Sequence, residues 1–186
     1  MNVWTKWRRE RTHARRAHAY AAVLQREPAD EDVRWLARHA ANGDADHARW
    51  ELRYARRALG LLAAQRDALD DRTASAVAHA LGASLAADRN VAAAKREVAE
   101  RQFNARLTSY SAILAHREGR EPTAARLGRA LLGFAGAASS ADAVARAGEI
   151  LAGYLAESNE ALRSQFGAVD LPENVAPSAL AGHSNE

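Results

Sequence analysis

The densest grouping of residues able to do chemistry is His39, Asp44, Asp46, His47 and Glu51. Imidazoles and carboxylates at this spacing can hold a divalent cation or exchange a proton near neutral pH, and His47 and Glu51 stand one helical turn apart. Each of these residues also has a structural use. Asp44 can cap a helix, Asp46 suits the positive end of one, and Glu51 can pair with Arg53 or Arg57. His39, Asp44, His47 and Glu51 are the candidate metal ligands. A second grouping, Glu10-x-x-His13, has the spacing of a di-iron half-site, but no second Glu-x-x-His occurs in the chain, so Glu10 and His13 read as surface residues among arginines.

Nucleotide and nucleophile signatures are missing. Gly128 and Gly133 have the spacing that opens a phosphate loop, yet Phe134-Ala135 stands where the Lys and hydroxyl residue would be needed. These glycines, with Gly136, read as close helix contacts or helix ends. There is no cysteine, which removes thiolate catalysis, disulfides and Cys-ligated metals. No stretch carries a motif specific to one family, no cofactor is called for, and the reading leans away from an enzyme.

The third grouping is of another kind. Trp4 and Trp7 share a helix face, Trp7 falling on the apolar stripe of Ala14, Ala17, Ala21 and Leu24, while Lys6, Arg8, Arg9, Arg11, Arg15 and Arg16 crowd the same eighteen residues against Glu10 alone. Guanidinium forks bind phosphates and carboxylates, and indoles stack on bases or fill apolar pockets, so this segment suits an acidic partner, protein or nucleic acid, or an anionic lipid surface. The wider charge pattern agrees. Residues 1–66 carry 14 Lys and Arg against 8 Asp and Glu, net +6, whereas residues 67–186 carry 12 against 15, net −3. Arg49, Arg53, Arg56 and Arg57 add a second basic stripe that Glu51 interrupts.

These groups have to be positioned by helices. The chain has 47 Ala and 19 Leu against 9 Val, 2 Ile and 5 Thr, an alphabet that favours helix and disfavours sheet. Apolar spacing and punctuation predict helices over about 3–25, 31–42, 45–69, 72–87, 91–117 and 141–166, with a short one before the last that follows a Thr123 cap and carries Leu127, Leu131 and Phe134. Expected caps are Asp30, Asp44, Thr123 and Ser140, and Gly43 is the expected left-handed terminator. The predicted fold is all-α, an irregular antiparallel bundle of six or seven helices forming one domain over 1–166. A polar segment with Pro172 and Pro177 follows as a tail over 167–186.

With no apolar leader and no uncharged stretch near membrane length, the expectation is a soluble, cytoplasmic protein. Alanine fills about half of the 48% hydrophobic fraction and buries little area, so a homo-oligomer is a plausible way to enlarge the core. The function expected is a helical interaction or scaffold protein that engages an acidic partner through its N-terminal helix, the alternative being a helical-bundle metalloprotein or enzyme built on residues 39–51.

Overall fold

The computed structural model describes residues 3–67, 71–88, 91–116, 121–136 and 140–167. Among these residues there are seven α-helices and no strand: α1 Val3–Leu24, α2 Asp30–His39, α3 Ala45–Asp67, α4 Asp71–Ala86, α5 Arg96–Ala115, α6 Thr123–Ala135 and α7 Ala141–Phe166. A short 3-10 turn, Ala93–Lys95, leads into α5. The all-α expectation holds. Asp70 and the segment from 168 onward, including Pro172 and Pro177, lie outside the described residues.

Helix α3 is the axis of the bundle. It packs against α2, α4, α5, α6 and α7, and more lightly against α1. Every residue from Glu51 to Leu61 is buried. Leu52, Ala55, Ala58 and Leu59 supply the apolar contacts, and small residues at this density let neighbouring backbones approach closely. Helix α1 lies across α4 and α7 and buries Ala17, Tyr20, Ala21 and Leu24, the stripe expected of an amphipathic helix. Tyr20 donates its hydroxyl proton to the Gly60 carbonyl of α3 at 2.8 Å.

Helices α6 and α7 form the closest pair. A Cβ on Gly148 would sit 2.7 Å from the Ala124 carbonyl oxygen, and one on Gly128 would sit 2.7 Å from the Gly148 nitrogen and nearer still to the Val144 carbonyl. Gly128 is thus a close-contact glycine and Gly136, at φ 101°, a terminator. Gly133 is neither, because nothing lies within 4 Å of where its Cβ would be.

Two caps form as the sequence suggests. The Asp44 carboxylate accepts from the His47 N–H at 2.9 Å, and the Ser140 hydroxyl accepts from the Ala143 N–H at 3.2 Å. Gly43 has φ 84° and donates its N–H to the Ala37 carbonyl at 2.8 Å, closing α2.

Two expected caps are corrected. Asp30 and Thr123 are the first helical residues, preceded by Ala29 and Pro122 at the cap positions, neither of which makes a side-chain cap bond. The helices start one residue early because Val33 N–H already bonds the Ala29 carbonyl, and Arg126 N–H the Pro122 carbonyl. The Asp30 carboxylate is then free to meet Arg49 at 3.3 Å, and Asp30, Glu31 and Asp32 still place negative charge in the first turn of α2.

The glycines provide a test with opposite signs. Gly148→Ala should destabilise the protein by about 1–3 kcal/mol through the clash with α6. Gly133→Ala should raise stability by up to about 1 kcal/mol through helix propensity. Urea denaturation followed by circular dichroism compares the two variants with wild type; equal midpoints would contradict the close crossing.

Candidate functional site

The N-terminal half of α1 runs out past its neighbours. Its first anchor is His13, half-buried, whose Nε2 is 3.0 Å from the Thr73 hydroxyl of α4 and whose ring meets the Phe166 ring of α7 edge-on at 5.6 Å. Glu10 lies 3.9 Å from Arg72, a pair exposed on both sides. His13 is therefore a docking residue and not one of the surface groups that the sequence suggests. The Thr73 partner, sixty residues away, explains why local spacing could not show it.

Before this anchor the described side chains face solvent. Trp4 is 61% and Trp7 50% exposed, which overturns the amphipathic continuation that would place Trp7 on the buried stripe with Ala14. Ala14 is exposed too, so the stripe starts at Ala17. The two indoles stand 6.1 Å apart, tilted by 53°. The Arg8 guanidinium lies 4.5 Å from the Trp4 ring centre and that of Arg11 5.1 Å from the Trp7 ring centre. Exposed stacks of this kind contribute about 0.5–1 kcal/mol each and hold guanidinium and indole in one composite surface. Arg15 and Arg16 are exposed on the same helix. Among the described residues no carboxylate pairs with Arg8, Arg11, Arg15 or Arg16. The side chains of Lys6 and Arg9 lie outside the described set, although both residues belong to α1.

The second basic stripe is corrected. Arg53, Arg56 and Arg57 are buried on α3, each against a carboxylate from elsewhere in the chain. Arg53 makes a bidentate contact with Glu27 at 2.7 and 3.1 Å. Arg56 meets Glu157 of α7 at 3.4 Å and lies 4.3 Å from the Tyr154 ring centre. Arg57 donates to Asp88 at 3.0 Å. The stripes of α1 and α3 do not merge into one basic surface, because α3 is enclosed from Glu51 to Leu61.

The four candidate metal ligands are put to separate uses. His39 stacks on Trp35 with ring centres 5.3 Å apart. Asp44 caps α3 through the His47 N–H. The His47 Nε2 lies 3.4 Å from Glu51, the one close pair of the four. The Glu51 carboxylate is 3% exposed and gripped from the other side by Arg106 of α5, whose Nε donates at 3.0 Å. Among the described residues no three His, Asp or Glu side chains gather where a cation could sit. Nor is any helix there long and apolar enough to cross a membrane.

Three tyrosines border these charges. Burial pushes the Tyr154 phenol up to about 12, a rise that Arg56 opposes. Tyr110 is raised further, by burial and then by the nearby Glu51, and Tyr54 is raised by the same two causes. The hydroxyl of Tyr110 is buried without a hydrogen-bond partner, so it has no group ready to receive its proton.

Comparison with family models, with curated protein sequences and with solved structures finds no match in any of the three. The chemistry of the site therefore rests on its own geometry.

Removing one member of an enclosed pair should cost much more than removing an exposed one. Arg106→Ala leaves Glu51 buried and should destabilise the protein by about 3–5 kcal/mol. Arg49→Ala, which loses only contacts to the exposed carboxylates of Glu27 and Asp30, should cost under about 1 kcal/mol. Thermal melts of the two variants check the ranking. The tyrosines fix a pH dependence as well. Their folded pKa values lie above the unfolded value of about 10, so the unfolded chain gives up protons first as the solution turns alkaline. The stability they contribute is complete below pH 10 and is lost as pH rises through their folded values. Urea midpoints at pH 9 and pH 11 should fall in that order, and a rise would show that these phenols ionise more easily when folded.

Proposed function

We propose that this is a helical interaction protein which engages an acidic partner, protein or nucleic acid, through Trp4, Lys6, Trp7, Arg8, Arg9, Arg11, Arg15 and Arg16. The observation that carries this reading is the contrast between two sets of arginines. Arg53, Arg56 and Arg57 on α3 are enclosed and paired, whereas Arg8, Arg11, Arg15 and Arg16 on α1 have no carboxylate partner among the described residues, and Arg8 and Arg11 lie against two exposed indoles. Unpaired guanidinium groups held beside aromatic rings offer forked donors for phosphate or carboxylate, and Trp and Arg are the side chains most often found at the energetic centre of interfaces. The role of the bundle, in this reading, is to hold that helix at the His13 anchor.

Changing Arg8, Arg9, Arg15 and Arg16 together to Gln keeps helix propensity nearly constant and removes four charges. Anisotropy titrations with a labelled polyglutamate peptide and with a labelled single-stranded oligonucleotide, each at low and high salt, measure the effect. The variant should bind the true partner class more weakly and with a flatter salt dependence, while melting like wild type. Trp4→Ala with Trp7→Ala should also leave the melt unchanged and weaken binding. Unaltered affinity for both probes in both variants would overturn the reading. Selective binding of one probe tells acidic protein from nucleic acid.

A further inference from the structure

A cleft of about 380 Å³ opens between α3, α4 and α5, far from the Trp-bearing end of α1 in sequence and built from different helices. Its volume is in the range of small-molecule sites. Trp50, Leu81, Leu85 and Phe103 provide apolar and aromatic wall; Tyr54, whose hydroxyl donates to Gln102, lines it too, and Arg57 and Asp88 are the buried charged residues on it. Their side chains are only 5% and 9% exposed. Of the Arg57 guanidinium, Nη2 donates to Asp88 at 3.0 Å, while Nε is buried with no acceptor. A guanidinium has five N–H donors, and a buried donor left without an acceptor is costly, so this wall is under-supplied with acceptors.

We propose that the cleft is a binding site for a small uncharged aryl molecule carrying one acceptor oxygen, of the aryl-amide or aryl-ketone class. The ring matches the aromatic and aliphatic walls, and the oxygen takes donors that Asp88 leaves unspent on Arg57. Neutrality follows from the charges present. Arg57 and Asp88 offset each other on the buried wall, and Arg96 and Glu100, which also line the cleft, stand exposed to solvent. A charged group set against that wall would find no counter-ion left there to meet it, and burying an uncompensated charge is unfavourable. A ligand with no acceptor would leave the guanidinium as it stands.

Gly82 lines the cleft and gives a way to block it. A Cβ added there meets nothing within 4 Å and its φ is not left-handed, so a larger side chain can be accommodated at the backbone. Acetanilide is titrated into the full-length, nitrogen-15-labelled protein, with phenylacetate as the charged probe and ethylbenzene as the probe lacking an acceptor. Acetanilide is expected to shift the Trp50 indole and Gly82 amide resonances. The other two should bind about tenfold or more weakly, the ratio expected for losing a hydrogen bond to a charged group or for burying an unmatched charge. Gly82→Phe should abolish the Trp50 shift in a protein that melts like wild type. The proposal fails if acetanilide leaves both resonances unmoved, if phenylacetate or ethylbenzene binds as well as acetanilide, or if folded Gly82→Phe still binds it. If Gly82→Phe does not fold, the wild-type shifts and the ranking of the three probes decide the matter alone.

Discussion

The structure depends on the enclosure of charged side chains along a single helix. Glu51, Arg53, Arg56 and Arg57 occupy two turns of α3 in which every residue is buried, and an ionised group taken out of water has to find its counter-charge in the protein. Each finds it on a different part of the chain. Glu27 comes from the segment between α1 and α2, Asp88 follows α4, Arg106 belongs to α5 and Glu157 to α7. Where both partners are enclosed, as in Arg57 with Asp88 and Arg106 with Glu51, the pair adds little net stability, but a neighbour docked one turn out of place would strand a charge at a cost of several kcal/mol. With alanine so abundant, apolar shape alone distinguishes one register from another weakly. The ion pairs supply the discrimination that larger side chains would otherwise give.

The same allocation of charge separates the two basic regions. Carboxylates are committed to α3 and to surface pairs such as Arg146 with Asp32 at 3.0 Å. At the front of α1 the one acid, Glu10, turns towards Arg72. Two helices with similar arginine content thus behave oppositely. On α3 the guanidinium groups tie the interior together, and on α1 they are left to the solvent side, next to the indoles.

What could be read in advance was decided by how local the signal is. The bounds of α7 were legible because Ser140 caps its start and Gly167 follows its end, and Gly43 was legible because its left-handed backbone is a property of a few neighbouring residues. The enclosure of Arg53, Arg56 and Arg57 was not, since a helix wheel shows which residues share a face but not how many faces are covered. The placing of Trp7 failed for a related reason: periodicity continues to the end of α1, but the helices beneath it do not, and burial ends where Thr73 and Phe166 meet His13. The His39 to Glu51 grouping looked dense in sequence because its members are close along the chain, whereas in space they serve a stack, a cap and an ion pair. The cleft left no trace, as its lining is drawn from residues 50 to 104 across three helices. An isolated Asp88 just after an alanine-rich helix was the faint signal that could have pointed to it.

The overhang at the start of α1 has a thermodynamic corollary. A free peptide of a dozen residues forms helix poorly in water because the first turn is hard to nucleate. Here that turn already exists from Ala17 to Leu24, locked against α4, α7 and Gly60, so residues 4–12 need only propagate it, one hydrogen bond at a time. Their helicity is then a graded quantity set by temperature and sequence for as long as the bundle stays folded. A ligand that recognises this segment as a helix meets a receptor whose competent fraction varies smoothly, and its apparent affinity scales with that fraction. Substitution of Thr12 by alanine would tune such an affinity through backbone order, leaving the indoles and guanidinium groups in place.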